Sequence, residues 1–307
     1  MIRKIQYNIE EKYNGKSIGD FLREKEYSRS IIVELKKNPI GIQRNHNWSN
    51  INERLQTGDH LEITLIEEET SMNIVPNDCK LDILFEDEDI LVINKPYDMT
   101  IHPSINHYEN TLANGVMNYF NIQGESHVFR CINRLDRDTT GTTIIAKNML
   151  SASILAKRMG ERKLSRTYMA FVEGITPEEG CIDFPIGRAE GSIIERKVDM
   201  EKGKRAVTYY KRLETLEIDG KKVSIVELQL ETGRTHQIRV HMTYIGHPLL
   251  GDFLYNPKNH MLTRQGLHAR KIEFRHPVSD EELCIIAPLP KDMEELVQQA
   301  NRIMNNK

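Results

Sequence analysis

The sequence predicts an α+β fold, in which a small α+β module precedes a larger domain built on a mixed, mainly antiparallel sheet. Predicted strands outnumber predicted helices and do not alternate regularly with them, which disfavours a doubly wound parallel sheet. Two apolar runs, at 83–85 and 90–93, are separated by an acidic turn and so predict a β-hairpin. Because an acidic, proline-containing stretch precedes this hairpin, we expect domains at 1–66 and 81–307 joined by a linker at 67–80.

The N-terminal module combines two short helices with strands. Ser17 and Ser28 each precede apolar residues at helical spacing, and serine is a favoured N-cap because its hydroxyl accepts a hydrogen bond from a free backbone N–H. Leu61, Ile63 and Leu65 recur at every second position, which predicts a strand. The module contains eleven basic and nine acidic side chains, so its net charge is +2.

The larger domain continues with further strands and helices. Apolar or alternating segments predict strands at 142–146, 167–172 and 225–230. One helix is expected to begin after Asn148 as its N-cap and to end at Gly160. Another is expected to begin at Thr235 as its N-cap and to end at Gly246.

Composition excludes several classes of protein. The first residues contain no apolar h-region, and nowhere do about 18 apolar residues run together, so we expect neither a signal peptide nor a membrane span. The four cysteines lie far apart without a Cys-x-x-Cys pair, which argues against a disulfide framework or a thiolate zinc site. These features predict a cytoplasmic protein with no membrane partner, and we expect a monomer.

Charge is distributed unevenly along the chain. The formal net charge is −3, but the segment from Glu67 to Asp89 contains nine acidic residues and one lysine, a net −8, so the remainder carries +5. Basic residues cluster at 157–166 and again at 204–212. Such runs usually form solvated surface, yet they permit a phosphate-binding surface despite the acidic total.

Asp136 lies in a polar loop that ends at a glycine, immediately before the predicted strand at 142–146. A carboxylate in such a loop commonly caps a turn, and together with Asp138 it could also ligate a metal ion. The cationic neighbours Arg134 and Arg137, and the lack of further ligands at a recognisable spacing, argue against a metal. The same arginines favour an ionised carboxylate, and a charged carboxylate in a cleft suits nucleophilic catalysis.

A second polar cluster is Gly-Arg-Thr-His-Gln-Ile-Arg-Val-His at 233–241. On the helix predicted from Thr235, His236 and Arg239 are three residues apart and share a face. An apolar stripe on the same helix is expected to face the core and consists of Ile238, Met242 and Ile245. A helix N-terminus beside Arg234 is suited to bind phosphate or carboxylate. An amphipathic helix with a basic outer face explains the same pattern, and histidines five residues apart make a poor zinc pair.

Tyr168 lies within Arg-Thr-Tyr-Met-Ala at 166–170, on a predicted strand. A single tyrosine on a strand is most often a core or surface residue. Taken alone, this segment therefore assigns no function.

In their order along the chain, these segments closely resemble the RluA-type pseudouridine synthases over nearly the whole length. The segment at 133–141 is similar to the family's His-Arg-Leu-Asp-x-x-Thr-Ser-Gly signature, which is highly specific. Further resemblance lies at 85–96 (an entry strand and its Lys-Pro turn), 102–103, 166–170, 233–241 and 246–252. Residues 1–66 resemble the S-four-type RNA-binding module that many members carry in front of the catalytic domain.

The resemblance implies an RNA pseudouridine synthase whose sheet contains a central cleft. Asp136 is then the nucleophile, Arg239 its ion-pair partner and Tyr168 the ring that packs on the target base. Arg134 would fill the space that a flipped-out nucleotide leaves in the RNA, and Ile238 would form a wall of the uracil pocket. The other substrate contacts expected from the motifs are Leu135, Thr140, Gly141, Arg234, Thr235, His236, Gln237 and His241.

The implied reaction isomerises uridine by breaking a C–N glycosidic bond and rejoining the uracil through carbon 5. Since no redox change occurs and no group is imported, we expect no cofactor and no metal. The base must first leave its stack, at a cost of a few kcal/mol, and an aromatic face returns about 1–3 kcal/mol by stacking. The implied partner is structured RNA, either ribosomal, with the large subunit favoured, or transfer RNA. The motifs do not identify the uridine, because position specificity arises from RNA shape and dispersed contacts.

Three positions depart from the family pattern. Asn133 replaces the histidine of the signature but can still form hydrogen bonds. Asp98 occupies a position of the Lys-Pro turn that is usually glycine, which brings the expected backbone shape there into question. Arg166 replaces a common lysine and keeps its charge. None of these changes removes a proposed catalytic group.

Two other functions compete with this interpretation. A catalytically inactive relative would bind RNA through the N-terminal module and the cleft, but it would have no reason to retain Asp136, Tyr168 and Arg239 together. A nucleoside hydrolase would need an acidic metal cluster or a pair of catalytic carboxylates, neither of which the sequence contains at a recognisable spacing. The enzyme is therefore the favoured prediction.

Overall fold

The N-terminal sheet pairs the first strand of the chain with the last strand of the module. A computed structural model describes residues 1–68, 71, 73–104 and 108–305, apart from the side chains of 303–305. The N-terminal elements are β1 (Ile2–Asn8), α1 (Ile18–Glu24), α2 (Arg29–Lys37), β2 (Ile42–Arg44), β3 (Asn47–Trp48) and β4 (His60–Ile66). The sheet order is β1-β4-β2-β3, with antiparallel neighbours throughout.

The predicted caps of the two N-terminal helices are confirmed. The hydroxyl of Ser17 accepts from the backbone of Asp20, and the hydroxyl of Ser28 accepts from that of Ile31. Both helices pack their apolar faces on the sheet. The apolar core between them includes Ile18, Phe21, Leu22, Ile31, Leu35, Leu61, Ile63 and Leu65.

The second sheet is the framework of the larger domain. Its strands are β5 (Ile83–Glu86), β6 (Ile90–Lys95), β7 (Thr140–Ala146), β8 (Ser165–Glu173), β9 (Glu179–Asp183), β12 (Val207–Ile218), β13 (Lys221–Leu230), β14 (Leu267–Arg275) and β15 (Glu282–Ile286), and a separate ribbon is formed by β10 (Ile186–Arg188) and β11 (Arg196–Val198). The strand order is β5-β6-β7-β14-β8-β13-β12-β9, with β15 beside β14. Only β7 and β14, within the described residues, run parallel as neighbours in this sheet. The predicted α+β class with a mainly antiparallel sheet is confirmed.

The helices of the larger domain are α3 (Leu112–Ile122), α4 (Met149–Gly160), α5 (Gln237–Tyr244) and α6 (Lys291–Asn305). The side chain of Asn148 caps α4 as predicted, accepting from the backbone of Ser151. The N-cap predicted for α5 at Thr235 is wrong. His236 occupies that position with φ 58° and makes no side-chain cap, because its ring is bonded elsewhere. Within the described ranges, none of the helices combines the length and apolar character that a bilayer crossing requires.

The two domains meet at the start of α4. Leu150 and Ile154 of α4 belong to the apolar core of the N-terminal module. Glu67, at the start of the expected linker, is 7% exposed and accepts a hydrogen bond from the backbone of Met149. Part of that linker, at 69, 70 and 72, lies outside the described residues. The expected linker therefore begins as a packed segment, because its first carboxylate is buried in the junction.

Candidate active site

Asp136 lies in the loop that enters β7, at the point where the sheet changes from antiparallel to parallel pairing. Gly141 of β7 faces Ala269 of β14, and Ala269 in turn faces Tyr168 of β8. The three residues form one row across neighbouring strands. The topology thus brings together Asp136 and Tyr168, which are 32 positions apart in sequence, at the centre of the sheet.

Gly141 permits the close approach of β7 to β14. Its φ is 113°, a backbone conformation that other L-residues rarely adopt. A Cβ atom at this position would lie 2.2 Å from the carbonyl oxygen of Ala269. The glycine expected among the substrate contacts is therefore required by the packing of the strands.

Two buried cations bind successive carbonyl groups of the Asp136 loop. Lys95, fully buried at the end of β6, donates to the carbonyls of Pro96, Met99 and Arg137 at 2.7–2.9 Å. Arg264 donates through Nη1 to the carbonyl of Asp138 at 3.1 Å. Both side chains thereby set the path of the backbone directly after Asp136.

The two cations differ in how their charge is balanced. Burial lowers the pKa of Lys95 to about 7, although the negative charges of Asp138 and Asp136 oppose the shift. Arg264 pairs with the carboxylate of Asp292, in the first turn of α6, at 2.7 Å. The C-terminal helix is thus connected to the Asp136 loop through Arg264. Sequence reasoning missed this residue because its partners are far away in the chain.

Arg239 contacts Asp136 as predicted, but its principal partner is Asp252. Its Nε and Nη2 atoms each donate to the Asp252 carboxylate at 2.7 Å, whereas its Nη1 lies 3.5 Å from Asp136 Oδ2. Burial by itself would lower the pKa of Arg239, but the hydrogen bonds and charge of Asp252 raise it. Asp252 also accepts from the backbone N–H groups of Leu254 and Tyr255. The sequence pattern contained Asp252, yet nothing local indicated its role.

His236 faces the same carboxylate oxygen as Arg239. Its Nε2 atom lies 4.0 Å from Asp136 Oδ2. Asp136 itself is partly exposed, and among the residues that the structure describes no polar group hydrogen-bonds to its Oδ1 atom. Oδ2 therefore faces protein groups, whereas Oδ1 faces none of the hydrogen-bonding groups of the described residues.

Apolar residues pack beside the carboxylate. Tyr168 belongs to a cluster with Leu135 and Ile238, and each of these three side chains is at most 8% exposed. Burial raises the pKa of the Tyr168 hydroxyl, as does the negative charge of Asp136, while the charge and hydrogen bond of Arg166 oppose the shift. The structure thus gathers the predicted ring and pocket wall next to Asp136.

The arginines that flank Asp136 in sequence do not pair with it. Arg137 pairs with Asp138 at 3.2 Å and contacts Asp98 at 3.7 Å. Arg134 is exposed and forms no hydrogen bond or ion pair with another described residue. Neither sequence neighbour therefore pairs with the carboxylate, which faces Arg239 and His236 instead.

The remaining predicted contacts divide into buried and exposed residues. Gln237 and His241 are buried, and both bond to Thr208, while Gln237 also donates to the carbonyl of Val207. Thr140 is buried with its hydroxyl 2.8 Å from His268 Nδ1. Arg234 and Thr235 are exposed. The polar atoms of these three buried side chains are therefore hydrogen-bonded to other groups of the protein.

The structure shows the surroundings of the three departures from the family pattern. The amide of Asn133 donates to the carbonyl of Thr142 and accepts from the backbone of Ile144, so it lines the edge of β7. Asp98 has φ 54°, the left-handed conformation that glycine adopts readily and aspartate tolerates. Arg166 is partly buried beside Gly233. The turn is therefore retained without a glycine at 98.

The basic cluster predicted at 157–166 is largely neutralised by acidic partners. Arg158 pairs with Glu26 of the N-terminal module, and Arg162 pairs with Glu231 of the large sheet. Further pairs in this region are Lys157 with Glu26 and Glu161, Arg158 with Asp280, and Lys163 with Glu161. This cluster therefore offers less free positive charge than its sequence suggested.

One group of described residues, Asp87, Asp89 and His276, has side-chain atoms close enough together to hold a metal ion. Their atoms are already engaged, since Asp89 accepts from Arg3 and Asn148, and His276 lies 2.9 Å from Asp87. The group belongs to the contact between the two domains. It does not include Asp136.

A mainly antiparallel sheet with an aspartate loop at its centre, faced by an arginine of α5, defines a class of enzyme. The family model described as RNA pseudouridylate synthase matches residues 89–244, about half of the chain. The chain belongs to this family of RNA-modifying isomerases. The predicted resemblance to pseudouridine synthases is thereby confirmed.

Individual relatives extend the similarity over most of the chain. The RNA pseudouridine synthase YhcT of Bacillus subtilis is 38% identical over 295 residues, which cover 96% of each chain. The Ribosomal large subunit pseudouridine synthase D of Escherichia coli O6:H1 is 35% identical over 288 residues, covering 89% of this chain and 86% of its own. Among solved structures, the Human RNA Pseudouridylate Synthase Domain Containing 1 matches with a TM-score of 0.57 and 27% identity, covering 72% of this chain and 95% of its own.

Proposed function

We propose that the protein converts specific uridines of large-subunit ribosomal RNA into pseudouridine, with Asp136 as the nucleophile. The observation that carries the assignment is the surroundings of Asp136: its Oδ2 faces Arg239 and His236, and its Oδ1 is without a hydrogen-bonding partner among the described residues. The choice of RNA rests on relatives named as large-subunit enzymes that align with most of this chain.

The proposed chemistry balances without a cofactor. One carboxylate oxygen of Asp136 forms a bond to ribose C1′ as the bond between C1′ and N1 of the base breaks with its electron pair on N1. The uracil turns, and C5 forms a bond to C1′ as the carboxylate leaves. C5 then loses its proton and N1 gains one, so the product is an isomer of the substrate.

The apolar cluster supports a pocket for the flipped base. Leu135, Tyr168 and Ile238 would enclose the uracil in a site from which water is excluded, where the charge of Asp136 acts more strongly than in water. Arg134 is exposed and unpaired in the described part of the chain, which suits a residue that enters the RNA stack. Gln237 and His241 would position the segment around Arg239 through their bonds to β12.

The N-terminal module would bind RNA outside the cleft. Arg29 and Lys36 are exposed on α2, and neither forms an ion pair with another described residue. Deleting residues 1–66 would uncover Leu150 and Ile154, which the module buries. Point substitutions on α2 are therefore the better test of the module than its removal.

Pseudouridine mapping tests the function directly. RNA from a strain lacking the gene should lose pseudouridine at one or a few large-subunit positions, and wild-type protein should restore them while Asp136→Asn should not. Asp136→Asn should still bind RNA, because the proposed phosphate contacts lie elsewhere. A loss confined to transfer RNA would overturn the ribosomal assignment, and unchanged pseudouridine in all RNA would favour an inactive RNA-binding relative.

The module is tested by salt dependence. Arg29→Gln combined with Lys36→Gln should weaken RNA binding and lower the slope of log Kd against log salt by about one for each lost phosphate contact. The rate at saturating RNA should stay unchanged. An equal loss of rate at saturation would show that α2 shapes the active site.

A further inference from the structure

His236 occupies a strained backbone position directly before α5. Its φ of 58° lies in the left-handed region, which L-residues adopt rarely, with asparagine, aspartate and histidine among those that enter it most often. The residue does not cap the helix with its side chain. Strain of this kind persists where neighbouring contacts hold the residue, and it is concentrated at functional sites.

The ring of His236 is oriented by Tyr255. The hydroxyl of Tyr255 accepts a hydrogen bond from the backbone N–H of Arg196 at 2.9 Å and lies 2.9 Å from His236 Nδ1. Burial raises the pKa of Tyr255 to about 12, so the phenol keeps its proton. With one oxygen lone pair engaged by Arg196, the hydroxyl is placed to donate its proton to Nδ1.

This hydrogen bond selects one tautomer of the imidazole. Burial lowers the pKa of His236, as do the charges of Arg239 and Arg196, while the charges of Asp136 and Asp252 oppose the shift. A neutral ring that accepts at Nδ1 carries its proton on Nε2. That Nε2–H group faces Asp136 Oδ2 across 4.0 Å.

We propose that His236 is a positioning residue, which donates from Nε2 to Asp136 Oδ2 in the RNA complex and, with Arg239, turns Oδ1 towards the target nucleoside. The present separations of 4.0 Å and 3.5 Å exceed a hydrogen bond, and catalytic contacts commonly shorten only when substrate binds. Tyr255 acts through His236 by fixing its tautomer. This proposal rests on the proposed role of Asp136.

Two substitutions at 236 separate positioning from a purely structural role. His236→Asn suits the left-handed backbone but places no donor where Nε2 lies, whereas His236→Gln places its amide N–H near that point on a less favourable backbone. We expect kcat in single-turnover reactions to fall by about a hundredfold for His236→Asn, as for the loss of a preorganised donor, and by less than about tenfold for His236→Gln. KM should change little in either variant, because RNA is bound mainly elsewhere.

A structural role predicts the opposite ranking, with His236→Asn more active and more stable than His236→Gln, and that result would overturn the proposal. Tyr255→Phe provides an independent test of the proposal. It should lower kcat in the wild-type background and add little in the His236→Asn background, because no imidazole tautomer remains to be selected. If Tyr255→Phe and His236→Asn reduced kcat multiplicatively in the double variant, that result would also contradict the proposal.

The variants at 136 and 236 distinguish an error in the role of Asp136 from an error in the role of His236. If Asp136→Asn retained activity, the nucleophile assignment itself would be wrong, whatever the variants at 236 do. If Asp136→Asn is inactive and the ranking at 236 is reversed, only the role of His236 is wrong.

Discussion

Arg239 donates two 2.7 Å hydrogen bonds to Asp252 and leaves its third nitrogen 3.5 Å from Asp136. The guanidinium is thus shared unequally between a fully buried carboxylate and a partly exposed one. Asp252 neutralises most of the buried charge, so Asp136 is oriented without being tightly paired. This arrangement leaves Oδ1 of Asp136 without a hydrogen-bonding partner among the described residues, as the proposed nucleophilic role requires.

Replacing Asp252 by Asn should disturb both stability and rate. Removing one member of a buried ion pair leaves the charge of Arg239 uncompensated, which typically costs about 3–5 kcal/mol. Arg239 should then move towards Asp136 and lower the reactivity of the Asp136 carboxylate. We therefore expect kcat to fall by at least about tenfold. Urea denaturation and single-turnover rates measure the two effects. Glu34→Gln, in an exposed pair with Lys37, is the control and should change stability by less than about 0.5 kcal/mol.

Gly141→Ala tests the close approach of β7 and β14. The added methyl would meet the Ala269 carbonyl at 2.2 Å in a backbone conformation with φ 113°, so we expect a loss of more than about 3 kcal/mol and of activity. Gly220→Ala is the matched control, because its φ is 74° but a Cβ there meets no atom within 4 Å. It should lose only about 1 kcal/mol. If both variants lost the same free energy of unfolding in thermal or urea denaturation, backbone strain alone, without the contact with Ala269, would explain why glycine occupies position 141.

Lys95→Met should destabilise the Asp136 loop. Methionine has a similar length but cannot donate, so three carbonyl groups lose the buried donor that they share, at about 1–3 kcal/mol for each one left unsatisfied. We expect lower stability and a lower kcat in protein shown to be folded by circular dichroism. Lys80→Met, at an exposed position, should leave both quantities nearly unchanged. Full activity in folded Lys95→Met would show that the loop keeps its shape without this cation.

His268 should make the protein sensitive to acid. Burial lowers its pKa to about 4, while an unfolded histidine titrates at its ordinary value near 6.5. Between those values the unfolded chain binds more protons, so the free energy of unfolding falls as the pH falls from 6.5 towards 4, by up to about 3 kcal/mol from this residue. Above pH 6.5 the contribution is fully present.

Urea denaturation between pH 4.5 and 7.5 checks this window. His268→Gln, which cannot titrate, should show a shallower decline of stability with acid than the wild type, whatever its stability at neutral pH. His260→Gln, at an exposed position, should follow the wild-type slope. If the slopes of wild type and His268→Gln coincided, another group would account for acid sensitivity in this range.

The elements predicted from sequence are those whose signals are local. The caps at Ser17, Ser28 and Asn148 were correct because a capping side chain bonds within three residues of itself. The cap at Thr235 was wrong because the backbone there is governed by the contact of His236 with Tyr255, 19 residues away. β1 carries no distinct signal of its own, since it is defined by its pairing with β4.

By itself the sequence determined the α+β class, the family and Asp136 as the candidate nucleophile, because a motif and a capping pattern depend on residues adjacent in the chain. Only the tertiary structure decided which groups face Asp136. Its neighbours Arg134 and Arg137 do not pair with it, whereas Arg239 and His236, about a hundred positions on, approach its Oδ2 to 3.5 Å and 4.0 Å. Electrostatic interaction depends on distance and burial in space, and both are set by how β7, α5 and the loop of Asp252 pack together.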